Sequence, residues 1–213
     1  MNARYETAIA HLRAADPVLG DLMARCGPCT LEPGDTDPFV TLCRSIIAQQ
    51  LSSRAASTIT ERLEGLFDAG VLTPEGVQAV PDDTLRSLGL SRQKQASLKD
   101  LATRTLDGSL RLATLSALSD EEVMRQLTQV RGIGVWTAEM FLIFFLGRLD
   151  VFPVGDLGIR KAIQRLYGYK KMPAVVTMHR HARKWMPYRT IAVWYLWESY
   201  DGLPATGGPK SLK

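Results

Sequence analysis

Cysteine is scarce in this 213-residue chain: Cys26, Cys29 and Cys43 are the whole supply, and none follows residue 43. An odd count placed this way argues against the paired framework of a small secreted disulfide protein. Two cysteines with no second pair also make a poor zinc site. Cys26-Gly27-Pro28-Cys29 has the letters of a thiol redox motif. That chemistry expects a βαβ setting with the first Cys opening a helix, whereas here the motif ends a helical segment with no strand pattern around it. It reads as a turn with two incidental thiols. Long apolar runs are missing as well. None reaches the roughly 18 residues needed to span a bilayer, and the greasiest stretch, Met140 to Leu146, has the length of a core helix. The chain opens Met-Asn-Ala-Arg-Tyr-Glu without an apolar export segment, so a soluble cytoplasmic protein with no membrane partner is expected.

Acids are absent from one long stretch. Between Asp156 and Glu198 there is none, yet Arg160, Lys161, Arg165, Lys170, Lys171, Arg180, Arg183, Lys184 and Arg189 all lie there. The net charge of +4 is mild, but a basic field focused on one region is the usual footprint of a polyanion partner. The bland alternative is a solvated face. The composition, 46% hydrophobic and 23% charged, argues against wholesale disorder.

Strand patterning is absent: period-two alternation is nowhere sustained, and no internal repeat is found, so an all-α fold is expected. Residues 3 to 14 scan as an amphipathic helix, followed by a turn-rich stretch from Cys26 to Asp37. Phe39 to Gln50 is a strongly apolar helix, and Ser52 or Ser53 caps the next, which runs to about Phe67. Thr73-Pro74-Glu75 and Pro81-Asp82-Asp83 are helix starts. Leu90 to Thr105 is a basic helix, and Ser119-Asp120-Glu121-Glu122 is a capping box. Further helices are expected over 134 to 146, 156 to 167, about 173 to 185, and 188 to 200. The tail from Gly202, including 206–213, has the composition of a frayed end.

Between two of these helices lies Leu127-Thr128-Gln129-Val130-Arg131-Gly132-Ile133-Gly134-Val135-Trp136-Thr137-Ala138. Two glycines one residue apart let the backbone turn sharply and approach a partner closely, and the helix that follows points its positive end the same way. A phosphate fits there. Asp156, in Val154-Gly155-Asp156-Leu157-Gly158, opens the next helical pattern and reads as the chemical centre. A plain N-cap is the alternative role, and the two are compatible.

The hairpin, the Asp156 segment, Ile46-Ile47-Ala48-Gln49-Gln50-Leu51-Ser52, Gly89-Leu90-Ser91-Arg92-Gln93-Lys94 and the closing Trp185 to Trp197 together resemble the helix-hairpin-helix DNA glycosylases of the HhH-GPD superfamily. The similarity is greatest to the bacterial 3-methyladenine DNA glycosylase II, or AlkA-like, branch, and it covers roughly residues 38 to 200 in order. It implies a monofunctional glycosylase that flips an alkylated purine out of double-stranded DNA and hydrolyses its N-glycosidic bond, beginning base excision repair. Catalysis then falls to Asp156, which stabilises the positive charge that develops on the sugar. The N–H groups from Arg131 to Thr137, with Gly132, Gly134 and Val135 between them, would hold a DNA phosphate. Carbonyls of Thr128, Val130 and Ile133 match positions that hold a monovalent cation, Na+ or K+. Trp136 and Trp197 match the aromatic pocket, where an indole face attracts a cationic base. Tyr188, Trp194 and Tyr195 are pocket or core, with core expected for at least two of them. Gln50 or Leu51 would fill the gap left by the flipped base; a capping glutamine and a core leucine are the alternatives.

Some departures matter. Bifunctional relatives carry a Schiff-base lysine where this chain has Trp136, so water is the expected nucleophile. Iron-sulfur relatives carry a C-terminal four-cysteine cluster, so neither a cluster nor an organic cofactor is expected. Only about 37 residues precede the match, where the fuller bacterial enzyme has a separate sheet domain. Gly155 stands where the branch often has a second acid, and Gly158 where a bulkier residue lines the pocket, which points to a more open site. The expected architecture is two helical lobes, 38–148 and 1–37 plus 149–205, with a DNA cleft between them, in a monomer that reaches the nucleoid through DNA. Rival readings are a non-catalytic helix-hairpin-helix DNA-binding protein, a glycosylase for another lesion or a bifunctional one, and a thiol oxidoreductase built on Cys26 and Cys29.

Overall fold

The computed structural model describes residues 3–67 and 70–201, which form helices, turns and loops with no strand among them. The tail expected to fray from Gly202 onward lies outside the described residues. No helix among the described residues is long and apolar enough to cross a membrane. The described residues fall into two compact units, one of 3–33 with 147–201 and the other of 34–67 with 70–146.

The first unit holds a 3-10 turn, Ala3–Tyr5, followed by α1 (Glu6–Ala15) and α2 (Pro17–Cys26), and later α10 (Leu157–Leu166), α11 (Val175–Trp185) and α12 (Arg189–Asp201). Asp16 ends α1 and starts α2, where Pro17 at the first helical position is pre-set for the turn. The Asp16 carboxylate is buried and fully used: it accepts from the Leu19 N–H at 3.3 Å, the Tyr167 hydroxyl at 2.7 Å and the Trp185 indole N–H at 3.1 Å. One side chain thus ties α1 and α2 to the ends of α10 and α11. The core is α12, whose residues Thr190 to Trp197 are buried on every side, as expected of a helix that is apolar all round. Trp194 and Tyr195 are core, and Tyr188 is half-buried. Arg189 forks onto Asp150, donating from Nε to Oδ1 at 2.7 Å and from Nη2 to Oδ2 at 3.1 Å. The Thr190 hydroxyl donates to the Arg148 carbonyl at 2.7 Å and accepts from the Val151 N–H at 3.0 Å. These bonds fix the start of the loop that carries Asp156.

The second unit runs from α3 (Pro38–Ala48) and α4 (Ser53–Glu64) through the short α5 (Pro74–Ala79) and α6 (Asp82–Ser87) to α7 (Arg92–Leu106). A 3-10 segment, Leu112–Ala117, leads to α8 (Asp120–Leu127) and α9 (Val135–Phe144). Asp37 caps α3 through the Phe39 and Val40 N–H groups, and the buried Leu42, Cys43, Ile46 and Ile47 face the core. Ser52, rather than Ser53, caps α4. Two helices end earlier than their apolar patterns imply. After Glu64, Gly65 enters two tight i→i+3 turns. After Ala48, Gln50 takes a φ of 57°, which a right-handed helix cannot contain.

Candidate active site

The hairpin is built by α8 and α9. Ser119 and Glu122 close a capping box at the start of α8, and the turn after it is pinned by Val130 N–H to Leu127 O at 3.1 Å and Ile133 N–H to Val130 O at 3.0 Å. Gly132 has a φ of 80°, and a Cβ there would run into the Ser97 hydroxyl of α7, so the fold itself demands glycine. Gly134 is different. Its φ is −92°, and a Cβ would meet nothing within 4 Å. No neighbour within 4 Å requires glycine there, and glycine is among the residues favoured at an N-cap. Because α9 begins at Val135, its i→i−4 ladder opens with the Ala138 N–H on the Gly134 carbonyl at 3.0 Å, and the positive end of the helix lies at Gly134 and Val135. Val135 and Trp136 are exposed, Trp136 by 46%, while Thr137 is buried.

The expected row of N–H donors is shorter than the sequence implies. The Arg131 N–H donates to Asp100 Oδ2 at 2.7 Å, where Arg104 Nε also donates at 2.9 Å. The Ile133 N–H is spent within the turn. Arg131 therefore presents its exposed side chain rather than its backbone.

The turn joining α3 to α4 stands against this hairpin. Gln49 Nε2 donates to the Gly132 carbonyl at 2.9 Å and to Thr137 Oγ1 at 3.4 Å. Lys94 Nζ donates to the Ile47 carbonyl at 2.6 Å and the Gln49 carbonyl at 2.8 Å, and desolvation lowers the ammonium's pKa from its ordinary value. Gln50 and Leu51 stay outside, Leu51 being 38% exposed. Neither is core, and Gln50 caps nothing. Gln49, Lys94 and Asp100 were not expected as site residues. Gln49 and Lys94 lie in the Ile46–Ser52 and Gly89–Lys94 stretches, but nothing in the letters distinguishes the inward Gln49 from the outward Gln50.

In the other unit, Asp156 is half-buried and caps α10, accepting the Ile159 N–H at Oδ1 over 2.9 Å. The Trp197 indole N–H reaches the same oxygen at 3.2 Å. Trp197 is only 9% exposed, so its polar edge orients the acid while its ring belongs largely to the core. Gly158 serves this contact. A Cβ there would stand 3.1 Å from Asp156 Oδ1 and 3.6 Å from Trp197 Cδ1. The space is filled by the acid and the indole, so the missing side chain does not enlarge the site, contrary to the sequence reading; beside Gly155, by contrast, it is open. The structure thus brings together Asp156, Trp197 and Gly158 in one unit, and the hairpin with the Gln49–Leu51 turn in the other.

Two sequence features contribute less than their letters. Burial raises the thiol pKa of Cys26, and pushes that of Cys29 up to about 12, the opposite of what a nucleophilic thiol needs. In the basic stretch, Arg189 is committed to Asp150, and Lys161 lies 5.6 Å from the Tyr200 ring centroid and 3.2 Å from its hydroxyl. The field that a polyanion meets rests on the remaining cations.

Residues 43–188 match the HhH-GPD superfamily of base excision DNA repair proteins. The chain belongs to this superfamily. The HhH-GPD match takes in the Gln49–Leu51 turn, the hairpin and Asp156, while Trp197 lies beyond it. The chain is 38% identical over 165 residues to DNA-3-methyladenine glycosylase 1 of Schizosaccharomyces pombe, covering 76% of this chain and 72% of that one. It is 30% identical over 198 residues to the alkylbase DNA glycosidase-like protein mag2 of the same yeast, covering 91% and 93%. Among solved HhH-GPD structures, S. pombe 3-methyladenine DNA glycosylase (Mag1) in complex with abasic DNA superposes with a TM-score of 0.82 at 34% identity, over 94% of this chain and 99% of that one. The DNA-3-methyladenine glycosidase of Bacillus halodurans gives 0.84 at 36% identity, over 91% and 88%.

Proposed function

We propose that this protein is a monofunctional DNA glycosylase of the 3-methyladenine glycosylase II type, which removes alkylated purines from duplex DNA by hydrolysis and leaves an abasic site. The observation that carries the reading is the placement of Asp156: a half-buried carboxylate, fixed at Oδ1 by a backbone N–H and an indole N–H, within an HhH-GPD chain. When the C1′–N bond breaks, its electron pair leaves with the base and the sugar becomes cationic. A purine nucleoside alkylated at N3 or N7 already carries positive charge, so its base departs neutral. Asp156 offsets the charge on the sugar and accepts a proton from the attacking water. Trp136, at the lysine position of bifunctional relatives, offers no amine for a Schiff base, and its exposed ring supplies a face for a cationic base.

The hairpin contributes the grip on duplex DNA. Gly134 and Val135, with the first turn of α9, receive a phosphate, and the Arg131 guanidinium adds to the salt-dependent attraction. Gln50 or Leu51, exposed on their turn, fill the vacated stack. The carbonyls of Thr128, Val130 and Ile133 are neutral oxygens of one turn, and Val130's keeps a second lone pair beside its bond to the Ile133 N–H. They fit a Na+ or K+ ion, which would add a fixed positive charge near the phosphate.

Duplexes bearing 3-methyladenine, 7-methylguanine, ethenoadenine, hypoxanthine or uracil test this reading. Release of free alkylpurine, with no covalent adduct after borohydride, is expected; no release from any duplex identifies a binding protein instead, and an adduct identifies a lyase. Trp197→Phe keeps the buried ring and removes one donor to Oδ1. The single-turnover rate of release is expected to fall about tenfold with affinity for lesion DNA little changed; equal losses in both would contradict an orienting role.

A further inference from the structure

Gln50 is the one non-glycine among the described residues with a left-handed backbone, so something must hold its turn in place. The holding groups all lie in the same unit and converge from two directions. Lys94 Nζ, in the first turn of α7, binds the carbonyls on either side of the α3 terminus, those of Ile47 and Gln49. The Gln49 amide reaches the opposite way, to the Gly132 carbonyl and the Thr137 hydroxyl. Farther along α7, Ser97 abuts Gly132 and Asp100 receives the Arg131 N–H. Lys94, Ser97 and Asp100 are spaced three residues apart, one stripe of a single helix. That stripe seats both the exposed Gln50–Leu51 turn and the hairpin.

We propose that Lys94 and Gln49 are positioning residues for base extrusion, holding the Gln50–Leu51 turn in register with the hairpin; this rests on the reading of that turn as the element that fills the stack. An ammonium on two carbonyls stabilises a backbone course that Gln50 resists, and the Gln49 amide fixes its distance from the bound phosphate. Without them the hairpin still grips DNA, but the turn enters the stack less often.

The test uses the full-length protein with Lys94→Met, Lys94→Arg and Gln49→Ala, each first checked by thermal melting. Fluorescence of 2-aminopurine placed beside a stable abasic analogue in duplex DNA reports unstacking, and single-turnover release reports excision. Lys94→Met is expected to lower both the fluorescence rise and excision of a paired lesion about tenfold, with affinity for undamaged duplex held within about twofold. Lys94→Arg, which still donates to two carbonyls, restores most of both. On a lesion opposite an abasic gap, where little stacking must be broken, the loss shrinks to about threefold or less. If Lys94→Met does not fold, Gln49→Ala carries the same expectations. Equal losses on the paired and gapped lesion, or no loss at all, overturn the proposal. If the wild-type protein releases no base, the fluorescence arm still decides the positioning role on its own, so the two readings fail separately.

Discussion

Asp156→Asn is expected to reduce base release by about a thousandfold or more while leaving both the fold and lesion-DNA binding nearly intact. One side chain would then do two jobs. As an N-cap, Asp156 accepts the Ile159 N–H at Oδ1, and asparagine caps a helix about as well as aspartate. The amide oxygen can also keep the Trp197 indole N–H. Shape and capping therefore persist, and only the negative charge is lost. A thousandfold loss corresponds to roughly 4 kcal/mol of transition-state stabilisation, within reach of a charge facing a cationic sugar in a half-buried setting. Single-turnover release and equilibrium binding, measured on the same duplex, check this. Turnover within about threefold of wild type would leave Asp156 as a cap and nothing more.

Gly134→Asp is expected to abolish useful DNA affinity while leaving stability unchanged or slightly raised. A Cβ at 134 meets nothing within 4 Å, the φ of −92° is ordinary, and the residue occupies the N-cap of α9. Aspartate is among the residues preferred there, so the helix gains a cap. The same carboxylate would sit where we propose that the hairpin receives a phosphate, replacing charge-assisted hydrogen bonds of about 1.5–3 kcal/mol each with repulsion. A fall in affinity of about a hundredfold or more follows. Gly132→Ala makes a useful contrast, because it strains a φ of 80° and crowds Ser97; its effect belongs to the fold. Thermal melting beside fluorescence anisotropy on undamaged duplex distinguishes the two, and tight binding by a stably folded Gly134→Asp would remove the phosphate grip from the account.

The helices were legible because their signals are local. Asp37 and Ser52 cap where short polar side chains precede apolar runs, and Ser119 with Glu122 forms the box that its spacing implies. Asp156 could be singled out for the same reason, since it stands one residue before a helix among glycines. What escaped is non-local. Lys94, nearly fifty residues on, donates to the carbonyls on both sides of the end of α3, a contact that the apolar pattern running through Gln50 does not reveal. The Arg131 N–H was assigned to phosphate, yet Asp100 takes it from another helix. The resemblance places Trp197 among aromatic pocket positions, but its hydrogen bond to Asp156 needs two helices brought side by side. Arg189 contributed to a basic field on paper and to an ion pair with Asp150 in the fold.

On the proposed mechanism, the Asp156 carboxylate faces a sugar that turns cationic as its base leaves. This is tested by comparing the binding of duplexes in which the target nucleoside is replaced by a protonated pyrrolidine or by a neutral tetrahydrofuran of the same size. The wild-type protein is expected to prefer the cationic ring by about a hundredfold or more, as transition-state mimics are preferred, and Asp156→Asn is expected to lose that preference while still binding the neutral duplex. An equal preference for the pyrrolidine in both proteins would contradict this role for the Asp156 charge.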